Sequence, residues 1–318
     1  MFTSAFSVAM EPCLTFAPVY MYRVWGGRDL ETLFRRPLPA GRRIGESWEL
    51  VDRPEAQSVV DHGPLAGATL HELWQARREE VFGADLAGDH FPLLIKILDA
   101  ADVLSVQVHP PAEVAEKLYG EPKCEIWYFV DAKPGAAIYA GLKRGVSRDR
   151  FEDALSSGSV ACLLHRLPTR TDDFIFIPNG RLHAIDAGNI IFEIQQNSDT
   201  TYRVFDWNRV EANGVQRRLH VEESLAAIDF EDHEPDLGQA EGELLVRCDH
   251  FRVERWHLET ERPARTRGKF TVFQVARGRV RCGRRTFGRG DLFLVPATVD
   301  ATIAPQNGPA VLLRTSLD

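Results

Sequence analysis

Cysteine is scarce and scattered in this 318-residue chain. Cys13, Cys124, Cys162, Cys248 and Cys282 are odd in number and show no CxxC spacing, which argues against a disulfide framework and for a reducing cytoplasm. Long apolar runs are also missing. The N-terminus, MFTSAFSVAMEPCL, has no basic region followed by a run long enough for a signal peptide or a membrane span. Positive charge is in deficit, with 38 Lys and Arg against 46 Asp and Glu, a formal charge of -8. That balance gives no electrostatic reason to approach nucleic acid or an anionic membrane, although a local basic pocket stays open. A hydrophobic content of 44% and a charged content of 26% exclude disorder and collagen. The length suits one large or two ordinary domains with a sizeable core.

Helical periodicity is the minority signal. Thr69 to Phe82 reads as a helix, with Thr69 and Glu72 spaced as a capping box and Gly83 as a stop. Shorter helices are expected in PPAEVAEKLYG and in SRDRFEDALSSG, where Ser147 is the N-cap. Most of the chain instead shows short strand-like runs between Gly and Pro turns: 93–98, 104–109, 124–130, 173–178 and 189–195. Residues 1–13 read as a disordered extension. The acidic, Pro- and Gly-bearing stretch 231–243 reads as a linker between a catalytic domain at 14–230 and a small β-domain at 244–318. DDFIFIPNGRLHAI and GDLFLVPATVDATI echo each other, with Pro178 aligned to Pro296 and His183 to Ala301. Two related barrels are therefore expected, the second without a metal-capable side chain at that point.

Strand alternation places Ser105, Gln107 and His109 on one face of LSVQVHP, with Val106 and Val108 on the other. An inward polar face is costly unless a metal or substrate satisfies it; the alternative is an edge strand with one solvated face. PKCEIWYF repeats the pattern with Lys123, Glu125 and Trp127, a stronger sign because buried Lys and Glu need pairing or coordination; the alternative is a surface ion pair. Further along, His183 stands on an apolar strand and Glu193 at the centre of the next. Gln107, His109, Glu125 and His183 together make an N/O ligand set with one carboxylate, which suits an open Lewis-acid site. Arg203 in TTYR can fork onto a phosphate or stabilise an oxyanion, or simply pair with Asp199 or Asp206. Lys96, inside PLLIKIL, reads either as a site residue or as a lysine snorkelling to the surface.

These segments resemble the type I mannose-6-phosphate isomerases, zinc enzymes of the cupin superfamily. The resemblance runs through WGG at 25–27, IGESWEL at 44–50, FPLLIKILDA at 91–100, LSVQVHP at 104–110, KCEIWY at 123–128, PNGRLHAI at 178–185 and EIQQNSDTTYRVFDWNR at 193–209. It implies a mainly β fold of double-stranded β-helix barrels, a metal-binding first barrel and a smaller metal-free C-terminal one. It implies one divalent ion per chain, zinc, on Gln107, His109, Glu125 and His183. It further implies Arg203 as the active-site arginine, and a substrate cavity lined by Trp25, Lys96, Ser105, Lys123 and Glu193. The expected reaction interconverts mannose 6-phosphate and fructose 6-phosphate through a cis-enediolate, with Glu193 or Lys123 moving the proton and Arg203 stabilising charge or holding phosphate. The expected partner is a small sugar phosphate, with no nucleic acid or membrane, on a monomer or small homo-oligomer. A sugar-sensing cupin without catalysis and a metal-dependent cupin oxygenase are the rival readings. One departure concerns Asp172, which stands where a cupin usually has Gly before the DFIFIP strand.

Overall fold

The computed structural model describes residues 10–210, 214–264 and 268–317. The fold is mainly β, and its described residues group into two units. One unit holds residues 20–48 and 93–239; the other holds 10–19, 49–92 and 240–317. These bounds differ from the expected division at 14–230, 231–243 and 244–318, because residues 49–92 group with the C-terminal segment. The physical reason is aromatic: Trp74, Phe82 and Phe91 pack on one another, and Phe82 and Phe91 both pack on Phe270, at centroid distances of 5.0 to 5.8 Å.

The first unit contains β1 (Val19–Gly27), β2 (Ile44–Leu50), β3 (Leu93–Ala100), β4 (Val106–Val108), β5 (Glu125–Ala132) and β6 (Ala137–Leu142). It continues with β7 (Leu164–Pro168), β8 (Phe174–Ile177), β9 (His183–Ile185), β10 (Asn189–Gln196) and β11 (Tyr202–Phe205). A six-stranded sheet runs β8-β5-β10-β3-β1-β2 and a five-stranded sheet runs β7-β6-β9-β4-β11. Between them lie Leu98, Trp127, Phe129, Ile138, Ile185 and Ile191, all buried. Each such side chain contributes about 1.5–3 kcal/mol on burial. Gly26 explains the WGG segment: a Cβ there would come within 2.4 Å of the Gly45 nitrogen on the neighbouring strand. Strand β4 is flanked by β9 and β11, so the edge-strand alternative for LSVQVHP does not hold.

The second unit contains β12 (Leu244–Arg247), β13 (Arg252–Leu258), β14 (Arg262–Pro263), β15 (Thr271–Arg277) and β16 (Arg279–Cys282). Strands β17 (Arg285–Gly288), β18 (Leu292–Val295), β19 (Thr302–Pro305) and β20 (Ala310–Ser316) complete it. Its sheets run β12-β13-β20-β15-β18 and β14-β19-β16-β17. Of the N-terminal stretch, residues 1–9 lie outside the described residues, while Cys13 is buried in this unit's core and Leu14 bridges to Leu294. Cys13, which the sequence reading placed in a disordered extension, is instead part of this core.

Local signals fared unevenly. Thr69 caps its helix through the reciprocal bonds with Glu72. The expected helix 69–82 is nevertheless two, Leu70–Ala76 and Arg78–Val81, because Arg77 leaves helical geometry at φ -135°, ψ 31°. Ser147 caps Arg148–Ser156. Asp172 adopts φ 73°, the left-handed conformation that explains glycine at that turn, and its carboxylate accepts a hydrogen bond from the Tyr128 hydroxyl. Aspartate tolerates that region better than most side chains.

Candidate metal centre and substrate cavity

Two strands and one strand exit bring His109, Glu125 and His183 together. Glu125 opens β5, His183 opens β9, and His109 follows β4; all three are fully buried. His109 Nδ1 lies 2.9 Å from the Thr200 carbonyl and His183 Nδ1 lies 2.8 Å from the Arg181 carbonyl. A carbonyl only accepts, so each Nδ1 carries the hydrogen and each Nε2 keeps its lone pair. Those lone pairs face Glu125, with His109 Nε2 3.6 Å from Oε2 and His183 Nε2 3.9 Å from Oε1. Neither Nε2 nor Glu125 Oε1 has a hydrogen-bond partner among the described residues. Three buried acceptors aimed at one point with no donor between them are costly in a bare protein and suited to a cation.

The electrostatics agree with that geometry. Burial pushes the His183 imidazole down to about 3 and, with Lys123 nearby, also lowers His109. Both are therefore neutral at physiological pH. Burial alone would raise Glu125, but Lys123, His109 and His183 hold it well below the usual carboxylate range. Lys123 Nζ sits 3.0 Å from Glu125 Oε2, with both side chains buried, so this is not a surface ion pair.

Beside these residues opens a cavity of about 390 Å³ lined by Trp25, Lys96, Ser105, Gln107, Lys123, Glu193 and Arg203 among others. Gln107 pairs with His183 on one side and Arg203 on the other in the sheet register. Lys96 is 4% exposed, which excludes snorkelling, and its Nζ lies 3.1 Å from Glu193 Oε1. Burial opposes the Lys96 charge, yet Glu193 and Glu46 raise its pKa above the ordinary lysine value. Trp127 Nε1 donates to Glu193 Oε2 at 3.0 Å, while burial and the charge of Glu125 raise the Glu193 pKa. Arg203 donates through Nε to Ser105 Oγ at 3.2 Å and through Nη1 to the Arg218 carbonyl at 3.1 Å. The fork that grips Asp206 comes from Arg217, at 2.6 and 2.8 Å.

Sequence reading missed several lining residues. Arg23 and Glu46 form a two-bond ion pair at 2.9 and 3.0 Å, and Trp48 Nε1 donates to Glu46 at 2.6 Å. Arg23 was recoverable, since it precedes Trp25 by two on the same strand face. Arg217 and His220 lie in an irregular segment with no periodicity to read. Five lining side chains are cationic (Arg23, Lys96, Lys123, Arg203, Arg217) and three are acidic (Glu46, Glu193, Asp199). The cavity lining itself is thus basic within an acidic chain, with Lys123 and Arg217 paired to Glu125 and Asp206 just outside the lining. No helix among the described residues is long and apolar enough to cross a membrane.

The catalytic-domain model of type I phosphomannose isomerase matches residues 14–137. The mannose-6-phosphate isomerase ManA of Bacillus subtilis is 38% identical over 299 residues, covering 90% of this chain and 93% of that protein. The mannose-6-phosphate isomerase of Streptococcus mutans is 34% identical over 288 residues, covering 87% and 90%. Among solved structures, a mannose 6-phosphate isomerase from Bacillus subtilis superposes with a TM-score of 0.85 at 31% identity, covering 96% of this chain and 100% of that one. With a basic cavity lining beside buried, partnerless N and O donors, and with that likeness along most of its length, the chain belongs to the type I mannose-6-phosphate isomerase family.

Proposed function

We propose that the chain is an aldose-ketose isomerase that interconverts mannose 6-phosphate and fructose 6-phosphate, using one divalent ion, zinc, at the buried centre. The observation that carries the reading is the convergence of His109 Nε2, His183 Nε2 and Glu125 Oε1 without partners, with the basic cavity beside them. Gln107, His109, Glu125 and His183 would hold the ion, an N/O donor set with one carboxylate that suits zinc and leaves a position open. When bound, the ion would supply Lewis-acid polarisation of the sugar's carbonyl.

The chain's own residues do the remaining work. The reaction removes a weakly acidic proton from C2 of the open-chain aldose and delivers it to C1. Glu193 is suited to the proton transfer, because its raised pKa makes it basic enough to accept a proton and Trp127 fixes its orientation. Lys123 is the other candidate. Its pairing with Glu125 keeps a cation beside the reacting oxygens. Arg203, held by Ser105 and the Arg218 carbonyl, presents a fixed fork to the enediolate oxygen or the phosphate. Trp25 and Lys96 line the cavity for the sugar.

The test is a coupled isomerase assay on chelator-stripped protein reloaded with zinc, with oxygen uptake followed in parallel. Turnover of mannose 6-phosphate that vanishes with the metal and returns with it supports the reading. Ligand binding without turnover would favour a sugar-sensing cupin, and oxygen uptake with iron would favour an oxygenase.

A further inference from the structure

A second convergence of ligand-type side chains lies in the unit that contains residues 49–92. Asp52 stands in the two-residue strand Asp52–Arg53, His71 in the helix Leu70–Ala76, and His90 just before the buried Phe91. His71 Nδ1 lies 3.0 Å and His90 Nδ1 3.2 Å from the same oxygen, Asp52 Oδ1. Gln57 Nε2 donates to that oxygen as well, at 2.9 Å, and Oδ2 accepts from the Phe91 nitrogen at 2.8 Å. His71 Nδ1 is 3.3 Å from Oδ2.

Three nitrogens thus converge on one carboxylate oxygen, and two of them are imidazole Nδ1 atoms that can ligate a cation as well as donate a hydrogen bond. A cation between Oδ1 and the two Nδ1 atoms would take the place of both imidazole hydrogen bonds, with Gln57 and Phe91 keeping their bonds to the carboxylate. The spacing fits: zinc bond lengths of about 2.0–2.1 Å at tetrahedral angles put neighbouring donors roughly 3.3 Å apart. The donors are also mounted rigidly. The capping box of Thr69 and Glu72 fixes the start of the His71 helix, Leu70, Leu73 and Trp74 are buried beneath it, and Phe91 packs on Trp74 and Phe270. Asp52 is inaccessible, but the His71 and His90 side chains are 37% and 45% exposed, so an ion has an entry path and water can fill its remaining positions.

We propose that Asp52, His71 and His90 form a second divalent-cation site, separate in its residues from the buried His109, Glu125 and His183 group, with the two-nitrogen, one-oxygen donor set that suits zinc. It neighbours no residue of the substrate cavity in sequence, and its role is to clamp the strand, the helix and the segment before β3. It stands whether or not the buried centre is the catalytic one.

The experiment counts zinc on the full chain after chelator stripping, by equilibrium dialysis at ~1 µM free zinc in a non-coordinating buffer, a concentration at which a rigid three-ligand site fills and stray surface imidazoles do not. Two ions per wild-type chain and one in His71→Ala/His90→Ala, with isomerase turnover retained and metal-free thermal unfolding still cooperative, are expected. His109→Ala/His183→Ala should also bind one, and that ion should disappear when His71→Ala and His90→Ala are added. An unchanged count in His71→Ala/His90→Ala, or binding there only at millimolar zinc as an adventitious ion, overturns the proposal. One ion in wild type that is lost with His71 and His90 but kept without His109 and His183 would instead overturn the reading of the buried centre.

Discussion

The two units repeat one strand plan and fill it with different chemistry. Strands β3, β10, β5 and β8 pair in the order that β13, β20, β15 and β18 repeat, and β4, β9, β6 and β7 are repeated by β14, β19, β16 and β17. Register makes the comparison residue by residue. Glu125 pairs with Ile177, and Thr271 with Val295 at the matching place before Pro178 and Pro296. His183 corresponds to Ala301, and Gln107 to Ala264, whose nitrogen donates to the Ala301 carbonyl. One framework carries Gln, His and Glu donors; the other carries two alanines and a threonine. The Lys96 and Glu193 pair corresponds to Glu254 and Arg314, an ion pair with its charges exchanged, at 3.1 Å in both cases. The second copy keeps the sheet plan without these side chains, so Gln107, Glu125 and His183 are not needed to hold the sheets.

The largest effect expected is at the donors. His183→Ala should abolish zinc binding at the buried centre and lower turnover by ~10³-fold or more, since a Lewis-acid ion supplies several kcal/mol to the transition state. The mirror change, Ala301→His, should bind no further ion, because Ala264 and Thr271 offer no matching ligands. Zinc counting on both variants checks this, and an extra ion in Ala301→His would break the comparison.

Next is Arg203. Its strand β11 extends the first unit's five-stranded sheet, whereas the corresponding four-stranded sheet has no such strand among the described residues. Arg203→Ala should lower kcat and kcat/KM together by about 10²–10³-fold if the fork stabilises charge in the transition state. A raised KM with unchanged kcat would move its role to holding phosphate. A lowered Tm with both constants intact would make it structural.

The exchanged ion pairs predict a stability effect without a catalytic one. Glu254→Gln leaves the guanidinium of Arg314, only 9% exposed, short of its carboxylate. Loss of about 3 kcal/mol is expected in denaturant unfolding, with kinetic constants of the folded enzyme unchanged. Replacing both partners, as in Glu254→Leu/Arg314→Met, should recover most of that loss. An altered kcat in either variant would show that the second copy takes part in the chemistry.

Much of this was legible from alternation alone. Period-two reading put Gln107 with His109 and Lys123 with Glu125, because a polar side chain on an apolar strand has few ways to be satisfied, but it left Lys96 open between a site role and snorkelling. The repeat was visible at one strand and its turn, yet the structure extends it to eight strands through pairings that connect distant segments and leave no local pattern. For the same reason residues 49–92 could not be assigned to the C-terminal unit, since the contact of Phe82 and Phe91 with Phe270 spans the chain. Asp52, His71 and His90 escaped notice because each looks ordinary in its own segment. Arg217 and His220 escaped because irregular backbone carries no period.

The smallest effect separates the copies by pH. Asp99 is fully buried on β3, where its counterpart by register, His257 on β13, is exposed. Burial raises the Asp99 carboxyl to about 6, although the Asp29 nitrogen donates to Oδ2 at 2.6 Å. With the unfolded value near 4, the folded protein binds this proton more tightly than the unfolded chain does between about pH 4 and 6. Its contribution is therefore most favourable below pH 4, is lost as pH rises through 6, and at pH 7 leaves a cost of roughly 2–3 kcal/mol. Asn has no charge to bury and keeps an oxygen for the Asp29 nitrogen. Asp99→Asn should accordingly match wild type near pH 4 and exceed it by up to that amount at pH 7. Urea unfolding of both proteins at several pH values isolates the group, because every other titration cancels in the difference. A stability difference that stays constant from pH 4 to pH 7 would mean that Asp99 is held ionised, with its buried charge satisfied by the Asp29 and Leu30 nitrogens.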